Sequence, residues 1–334
     1  MKPTITDIAR DTGLSLATIS KYLNNKPILS ENRKRIEASI QRLGYTPNRI
    51  AQSLRSKKTS TIAIVIPPLC DGLWGNTIHP LDCTLRQHGY SSIVCTSTSE
   101  PEKAGPLSAF LIHNQIDGVI AIDDALDDAS FSLFSRNQIP YVCIDYVPNG
   151  LPTDLVSSDN YSSAYQAGSY FVKHHHTRIG FLAGRKESYT TIQRTRGFLA
   201  ALLDGGIPSR PEYCSYGDSS SSASAQRRFK ELMALPEPPT ALFFSNYAAF
   251  LGGFTEIMNQ GIRIPEDLSI ISFENDKIFD TLSPKITVIQ QDFDTIAQKA
   301  ASLLLKRLSN QKEHFPETVL VDTIFINGNS VKYY

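Results

Sequence analysis

The side chains with the plainest chemical potential are cations gathered at one end of the chain. Residues 1–58 hold twelve Lys or Arg (Lys2, Arg10, Lys21, Lys26, Arg33, Lys34, Arg35, Arg42, Arg49, Arg55, Lys57 and Lys58) against four acids, a net of +8 in a 334-residue chain whose formal charge is zero. The rest of the chain therefore carries −8. A small basic segment joined to a large acidic body predicts that the first part meets a polyanion and the second does not. Other chemistry finds weaker footing. His174, His175 and His176 are adjacent, and neighbouring side chains on a helix point about 100° apart, so the three cannot converge on one metal ion. The five cysteines at 70, 83, 95, 143 and 214 are odd in number and scattered, without C-x-x-C spacing or histidine neighbours, and read as reduced core thiols. G-x-G-x-x-G after a strand, G-x-x-x-x-G-K-[ST] and G-x-S-x-G are all absent from the sequence, so no nucleotide cofactor and no enzyme activity are expected. The Ser219 to Ser224 run reads as a loop or helix start.

These residues need elements to position them. A content of 41% apolar, 20% charged and 9% aromatic residues excludes global disorder, and the length predicts two or three folding units. Apolar stretches such as Ile62 to Ile66 fall far short of the ~18 to 20 residues that span a bilayer. The polar, charged opening is unlike a signal-peptide core, so a cytoplasmic protein with no membrane partner is expected. Within the basic segment the apolar spacing is helical. Thr4 and Asp7 have capping-box spacing ahead of Ile5, Ile8 and Ala9. Gly13 stops that helix, and Ser15 is placed to cap a second with Ile19 and Leu23 facing inward. Ser30 is placed to cap a third, in which Ile36, Ile40 and Leu43 form a stripe ended by Gly44. Two short helices joined by a Gly-Leu-Ser turn have the spacing of a helix-turn-helix, whose second helix enters the major groove.

At this point the residues match a known pattern. Ile5-Thr6-Asp7-Ile8-Ala9, Gly13-Leu14-Ser15 and Thr18-Ile19-Ser20-Lys21-Tyr22-Leu23-Asn24 resemble the headpiece of the lactose-repressor (LacI/GalR) family of bacterial transcription regulators. Leu43-Gly44-Tyr45-Thr46-Pro47-Asn48 and Ala51-Gln52-Ser53-Leu54 are similar to its hinge signature. The resemblance implies DNA contacts from Thr4, Ser15, Leu16, Ala17, Thr18, Ser20, Lys21, Asn24, Tyr45, Asn48, Arg49, Ala51, Leu54 and Arg55. Leu16 and Ala17 stand where the family reads base edges. Both offer only apolar contact, as to a thymine methyl, so hydrogen-bond readout falls to Lys21, Thr18 or Ser20. Asn48 to Ser56 is too short a helix to be stable alone in water. In the family, two such segments meet in the minor groove, where a leucine matching Leu54 wedges between base pairs.

After Thr59 short β-rich runs alternate with helical periods. Thr61 to Ile66, Ser92 to Cys95, Gly118 to Ile122, Tyr141 to Ile144, Ile179 to Leu182, Ala241 to Phe244 and Ser269 to Phe273 are candidate strands. Their spacing leaves room for crossover helices and predicts parallel, doubly wound α/β sheets. Asp117-Gly118-Val119-Ile120, Ile179-Gly180-Phe181-Leu182-Ala183-Gly184, Arg194-x-x-Gly197-Phe198 and Gln291-Asp292 extend the resemblance over nearly the whole chain. It implies a two-lobed, periplasmic-binding-protein-like body of Rossmann-like sheets behind the helix-turn-helix headpiece. The implied divisions are a headpiece at 1–47, a hinge helix and linker at 48–58, and a body at 59–330. Within the body, the N-lobe takes about 59–157 plus 287–318 and the C-lobe about 158–286 plus 319–330.

Ligands of such folds bind where strands end facing the cleft. The resemblance implies effector contacts from Asp145, Arg194, Asn246 and Glu274, a set in which carboxylates accept from hydroxyls while Arg and Asn donate. Leu73 and Trp74 after the first body strand, and Phe279 from the other lobe, are candidates to pack on an apolar sugar face. Tyr247 and Ser272-Phe273-Glu274-Asn275 depart from the family pattern, and the extra methylene of Glu274 shifts its carboxylate by more than about 1 Å. The expected protein is a homodimeric, ligand-controlled repressor of carbohydrate-utilisation genes on a pseudo-palindromic double-stranded DNA operator, with a sugar or sugar derivative as effector. A cytosolic sugar-binding protein without operator control, and a regulator sensing a non-sugar metabolite, are the alternatives. No leucine heptad follows the body, so a tail-mediated tetramer is not expected.

Overall fold

The computed structural model describes residues 3–23, 26–46, 58–68, 75–97, 106–218, 221–311 and 313–334. The chain divides after Thr59 into two compact units. In the first, helices α1 (Ile5–Thr12), α2 (Leu16–Leu23) and α3 (Ser30–Leu43) enclose Ile8, Ile19, Ile36 and Tyr45. Asp7 accepts hydrogen bonds from the backbone N–H and hydroxyl of Thr4, fixing the start of α1. Gly13 and Gly44 end α1 and α3 with φ of 65° and 62°, a conformation that costs a residue with a Cβ. Ser15 caps α2 by accepting from the Thr18 N–H. At α3 the expected cap is displaced by one residue: Leu29 is the capping position and Ser30 is already helical, with no side-chain cap. Asp11 holds α1 to α3 through Ser39 and Arg42, and these bonds keep its carboxyl below the usual range.

The second unit holds two six-stranded sheets. The first has the order β11-β5-β4-β3-β1-β2, with β1 (Thr61–Ile66), β2 (Ser91–Thr96), β3 (Gly118–Ile122), β4 (Tyr141–Ile144), β5 (Asp154–Ser158) and β11 (Thr318–Val321). The second has the order β12-β10-β9-β8-β6-β7, with β6 (Ile179–Ala183), β7 (Cys214–Tyr216), β8 (Ala241–Phe244), β9 (Ser269–Phe273), β10 (Thr287–Gln290) and β12 (Ile324–Ile326). Every pairing is parallel except β10 with β12.

Strand periodicity explains the layers. Ile62, Ile64, Ile120, Ile122, Val142 and Ile144 face α4 (Gly75–Gln87) and α11 (Phe293–Leu308). Ala63, Val65, Val119, Ala121 and Cys143 face α5 (Leu107–His113) and α6 (Asp128–Arg136). In the second sheet Leu182, Leu242, Phe244 and Ile270 meet α9 (Ser222–Met233) and α10 (Tyr247–Asn259), while Phe181, Phe243, Ile271 and Phe273 meet α7 (Asn160–Lys173) and α8 (Tyr189–Asp204). With both faces covered, these strands read as continuous apolar runs.

The lobe boundaries differ from the expected ones. Thr287 to Ile289 pair with β9 and Gln290 with β12, so this strand belongs to the C-lobe, whereas Val319 to Val321 pair with β5 and belong to the N-lobe. The chain therefore passes between lobes after Ser158, after Gln290 and after Val321. The histidine triplet lies at the end of α7 and packs on the final tyrosines, with His174 and His175 against Tyr333 and His176 against Tyr334. His176 is 1% exposed and its Nδ1 lies 3.1 Å from the Thr240 hydroxyl; burial pushes its pKa down to about 4, so it is a neutral packing residue at pH 7.

Candidate functional site

Two surfaces gather the residues singled out in the sequence. On the first unit, the capping residue Ser15, Leu16 and Ala17 in the first turn of α2 and Lys21 in its last turn are exposed, with Thr18 and Ser20 half-buried between them. Leu16 is 47% exposed although it begins an apolar-faced helix, because Ile19 takes the inward position. Thr4 is exposed at the start of α1. Tyr45 is not brought to this face: only 9% exposed, it closes the core of the unit against α1 and α3. Asn24, Asn48, Arg49, Ala51, Leu54 and Arg55 lie outside the described residues. The exposed residues of α2 offer hydroxyls, an ammonium and apolar methyl groups, which is the equipment for base edges and phosphates.

The second surface lies between the lobes, where carboxyl ends of strands from both sheets meet. Asp123, Asp145 and Glu274 each occupy the position directly after a buried parallel strand, β3, β4 and β9 respectively. Each has a left-handed backbone, with φ of 51°, 59° and 80°. Such angles are uncommon for residues with a Cβ and mark positions held by their surroundings. Here the backbone N–H groups hold them, donating to Ile144, Val156 and Ile289 carbonyls at 2.8, 3.0 and 2.7 Å. Asp145 and Glu274 belong to the expected set. Asp123 does not, and the signal for it was its place after a buried apolar run, the place Asp145 and Glu274 share.

Arg194 reaches this group from α8. It is 4% exposed, donates from Nε to Asn160 Oδ1 at 2.7 Å and from Nη1 to the Ser245 carbonyl, and lies 3.5 Å over the Phe273 ring. Asn160 Nδ2 in turn donates to Ser157 Oγ at 2.9 Å, and Ser157 donates to Asp145. A continuous polar chain thus runs from the N-lobe carboxylate to the C-lobe guanidinium. The approach of α7 to α8 makes it possible: a Cβ at Gly197, one turn beyond Arg194, would collide with the Tyr161 carbonyl.

Electrostatics follow from burial. Desolvation and the neighbouring Asp145 raise the Asp123 pKa to about 7, against the pull of Arg185 and Arg194. Desolvation raises Glu274 to about 7 and also raises Asp145, both opposed by Arg194. Burial pulls Arg194 down while the three carboxylates hold it up, and a guanidinium stays protonated at neutral pH. Arg185 of the C-lobe pairs with Asp124 of the N-lobe. Asn246 caps α10 by accepting from the Ala249 N–H at 2.8 Å, which leaves its amide NH₂ as a donor. Phe279 is not brought to the polar group: 4% exposed, its ring sits 4.2 Å from Phe250 in the C-lobe core. Leu73 and Trp74 lie outside the described residues. Among the described residues, no three His, Cys, Asp or Glu side chains converge as a metal ion requires.

Residues 4–48 match the bacterial regulatory proteins of the lacI family, and residues 169–331 match the periplasmic binding protein-like domain. The chain is 31% identical over 331 residues to the HTH-type transcriptional repressor CytR of Escherichia coli K12, covering 98% of this chain and 96% of that protein. It is 28% identical to the HTH-type transcriptional repressor PurR of Aliivibrio fischeri ES114, covering 93% of each. Among solved structures, the lac repressor dimer bound to operator and the anti-inducer ONPF superposes with a TM-score of 0.82 at 22% identity, covering 99% of this chain and 100% of that one. A complex of the regulator CelR with cellobiose superposes at 0.73 and 24% identity, covering 98% and 100%. At these identities the structural likeness speaks to the fold.

Proposed function

Because the chain belongs to the lacI family of bacterial regulatory proteins, we propose that it is a cytoplasmic repressor that binds a pseudo-palindromic operator as a homodimer and releases or grips it according to a small effector held between its lobes. Bacterial transcription regulation is the family's province; operator symmetry, dimerisation and the effector are this chain's own case to be tested. The observation that carries the reading is the pairing, in one chain, of a short helix with exposed hydroxyl and lysine side chains with a cleft where Arg194 faces Asp123, Asp145 and Glu274.

In the first unit, Lys21, Thr18 and Ser20 supply hydrogen bonds to base edges and phosphates, and Leu16 and Ala17 supply apolar contact. Asn48, Arg49, Ala51, Leu54 and Arg55 are assigned to the minor groove, with Leu54 as the wedge. In the second, carboxylates accept from ligand hydroxyls while Arg194 and Asn246 donate, the complement of a polyhydroxylated molecule. Cellobiose in the CelR complex is a ligand of that kind. No residue of this set is arranged as a nucleophile with a base, so the cleft is read as binding rather than catalysing. A ligand shifts the lobes only by the difference between its affinities for their two arrangements. Arg194 and Asp145 approach from different lobes, so both sense that difference.

The test is a thermal-shift screen of metabolites on the full chain, followed by duplex titrations with and without each hit. A hit that changes operator affinity, and whose effect disappears in Arg194→Ala, supports the reading. Hits that bind Arg194→Ala unchanged would move the effector site elsewhere.

A further inference from the structure

The charge in the cleft does not balance. Asp123 and Asp145 end adjacent parallel strands in matched register, Ile122 opposite Ile144, so the two carboxylates stand side by side about one strand spacing, ~4.8 Å, apart at the backbone. The Asp123 N–H donates to the Ile144 carbonyl at 2.8 Å, which locks that juxtaposition. Asp145 accepts from Ser157, whereas the Asp123 carboxylate has no hydrogen bond or ion pair with a described residue. Glu274 faces them from the other lobe. Two guanidinium groups act on this set. Arg185 is paired to Asp124. Arg194 has committed Nε and Nη1 to Asn160 and Ser245, and among the described residues forms no ion pair within 4.0 Å with any carboxylate. Among the described residues four carboxylates, Asp123, Asp124, Asp145 and Glu274, thus confront two cations; fully ionised they would carry an excess of two negative charges, and burial instead raises Asp123 and Glu274 to about 7, so that protons take the place a counter-charge would fill.

Hydroxyl groups of a neutral sugar would satisfy acceptors yet supply no counter-charge that lets all of these carboxylates ionise. Like charges this close cannot all ionise without a counter-charge. A bare metal ion is a poor fit, because the described side chains do not converge on a point; the missing cation must be spread along a larger body. We propose that the effector is cationic: a polyhydroxylated molecule bearing a protonated amine, seated with its nitrogen against Asp123 and Asp145 and its hydroxyls toward Glu274 and Arg194. This inference rests on the reading of the cleft as an effector site and narrows the class of molecule it takes.

The experiment uses the full chain at pH 7 and a panel of glucose, galactose, mannose, cellobiose and ribose, their amino counterparts such as glucosamine, galactosamine and mannosamine, the N-acetylated forms of those amines, and neutral nucleosides. Thermal shift finds the binders and calorimetry ranks them. The proposal predicts that an amino sugar binds at least tenfold more tightly than both its neutral parent and its N-acetylated form. It also predicts that Asp123→Asn erases most of that preference while still binding the neutral parent. A neutral sugar or nucleoside that binds as well as or better than every amine, with Asp123→Asn unaffected, overturns the cationic effector and leaves the polyol reading standing. Binding of no panel member overturns both. Asp123→Glu, which keeps the charge, distinguishes lost charge from lost folding: it should retain the preference for the amine.

Discussion

Ser158 donates from its hydroxyl to Gln291 Oε1 at 2.7 Å, joining two residues 133 positions apart at two of the places where the chain passes between the lobes. Gln291 is 6% exposed and donates from Nε2 to Glu274 Oε1 at 3.3 Å, so a residue at a lobe crossing bonds one of the carboxylates of the cleft.

Replacing Gln291 by Ala should strand the buried Ser158 hydroxyl and cost about 1 to 3 kcal/mol of stability. Denaturant titration of Gln291→Ala, Ser158→Ala and the double variant checks it. The double should be less destabilised than the sum, because each single change removes the same bond.

Gly197→Ala places a methyl group into the Tyr161 carbonyl. Helix α8 must retreat from α7, and overpacking of this kind costs about 1 to 3 kcal/mol or more. Since Asn160 and Arg194 lie on those two helices, effector affinity should fall together with stability. A variant with weakened melting and undiminished affinity would uncouple the helix contact from the site.

Acidity should act on the ligand-free protein with a defined sign. Asp123 and Glu274 titrate near pH 7 when folded, above the ~3.9 and ~4.3 of unfolded chains. The folded state therefore holds more protons between those limits. The contribution of these groups is fully present below about pH 4 and is lost as pH rises through 7. Melting curves of Asp123→Asn and Glu274→Gln should gain on the wild type between pH 5 and pH 8. A difference that stays constant over that range would contradict the assignment.

Arg307 is bound to Asp154 in a two-pronged pair, Nε to Oδ2 at 2.6 Å and Nη2 to Oδ1 at 2.8 Å, with side chains 6% and 0% exposed. The Glu317 N–H adds a third bond to Asp154 at 2.8 Å, securing β11 beside β5. Asp154→Ala leaves the buried guanidinium only a 3.9 Å ion pair with Glu317 and the Gln311 and Glu313 carbonyls, and should destabilise the body by about 3 kcal/mol. Unfolding in denaturant reads that loss.

The sequence made the buried strands readable because burial on both faces writes uninterrupted apolar runs: β1, β3, β4, β8 and β9 fall where Thr61 to Ile66, Gly118 to Ile122, Tyr141 to Ile144, Ala241 to Phe244 and Ser269 to Phe273 stand. The strand Asp154–Ser158 is equally buried yet polar at three of its five positions, since Arg307 and Gln291 satisfy Asp154 and Ser158 from distant parts of the chain while Asn160, at the start of the next helix, satisfies Ser157. No local pattern announces that. The edge strands Thr318–Val321 and Ile324–Ile326 are short and half exposed, so the last lobe crossing between them has no local signal, while Thr287–Gln290 is as apolar as any buried strand and nothing in its own pattern says which sheet it joins. In the cleft, Asp145, Arg194 and Glu274 were legible through family motifs. Asp123 was hidden in the acidic stretch Asp123-Asp124-Ala125-Leu126-Asp127-Asp128, which reads as a solvated loop until the register of β3 against β4 sets it beside Asp145.

Selection of duplexes from a random-sequence pool by the full chain near physiological salt tests the regulator account most directly. The account predicts enrichment of one motif made of two inverted half-sites, with affinity that falls steeply with salt, by a log–log slope of about −0.9 per phosphate contacted. Lys21→Ala should weaken binding to that motif, and a cleft ligand should change it. A pool that emerges without an enriched motif, or with a single unsymmetrical site bound equally by Lys21→Ala, would contradict the account.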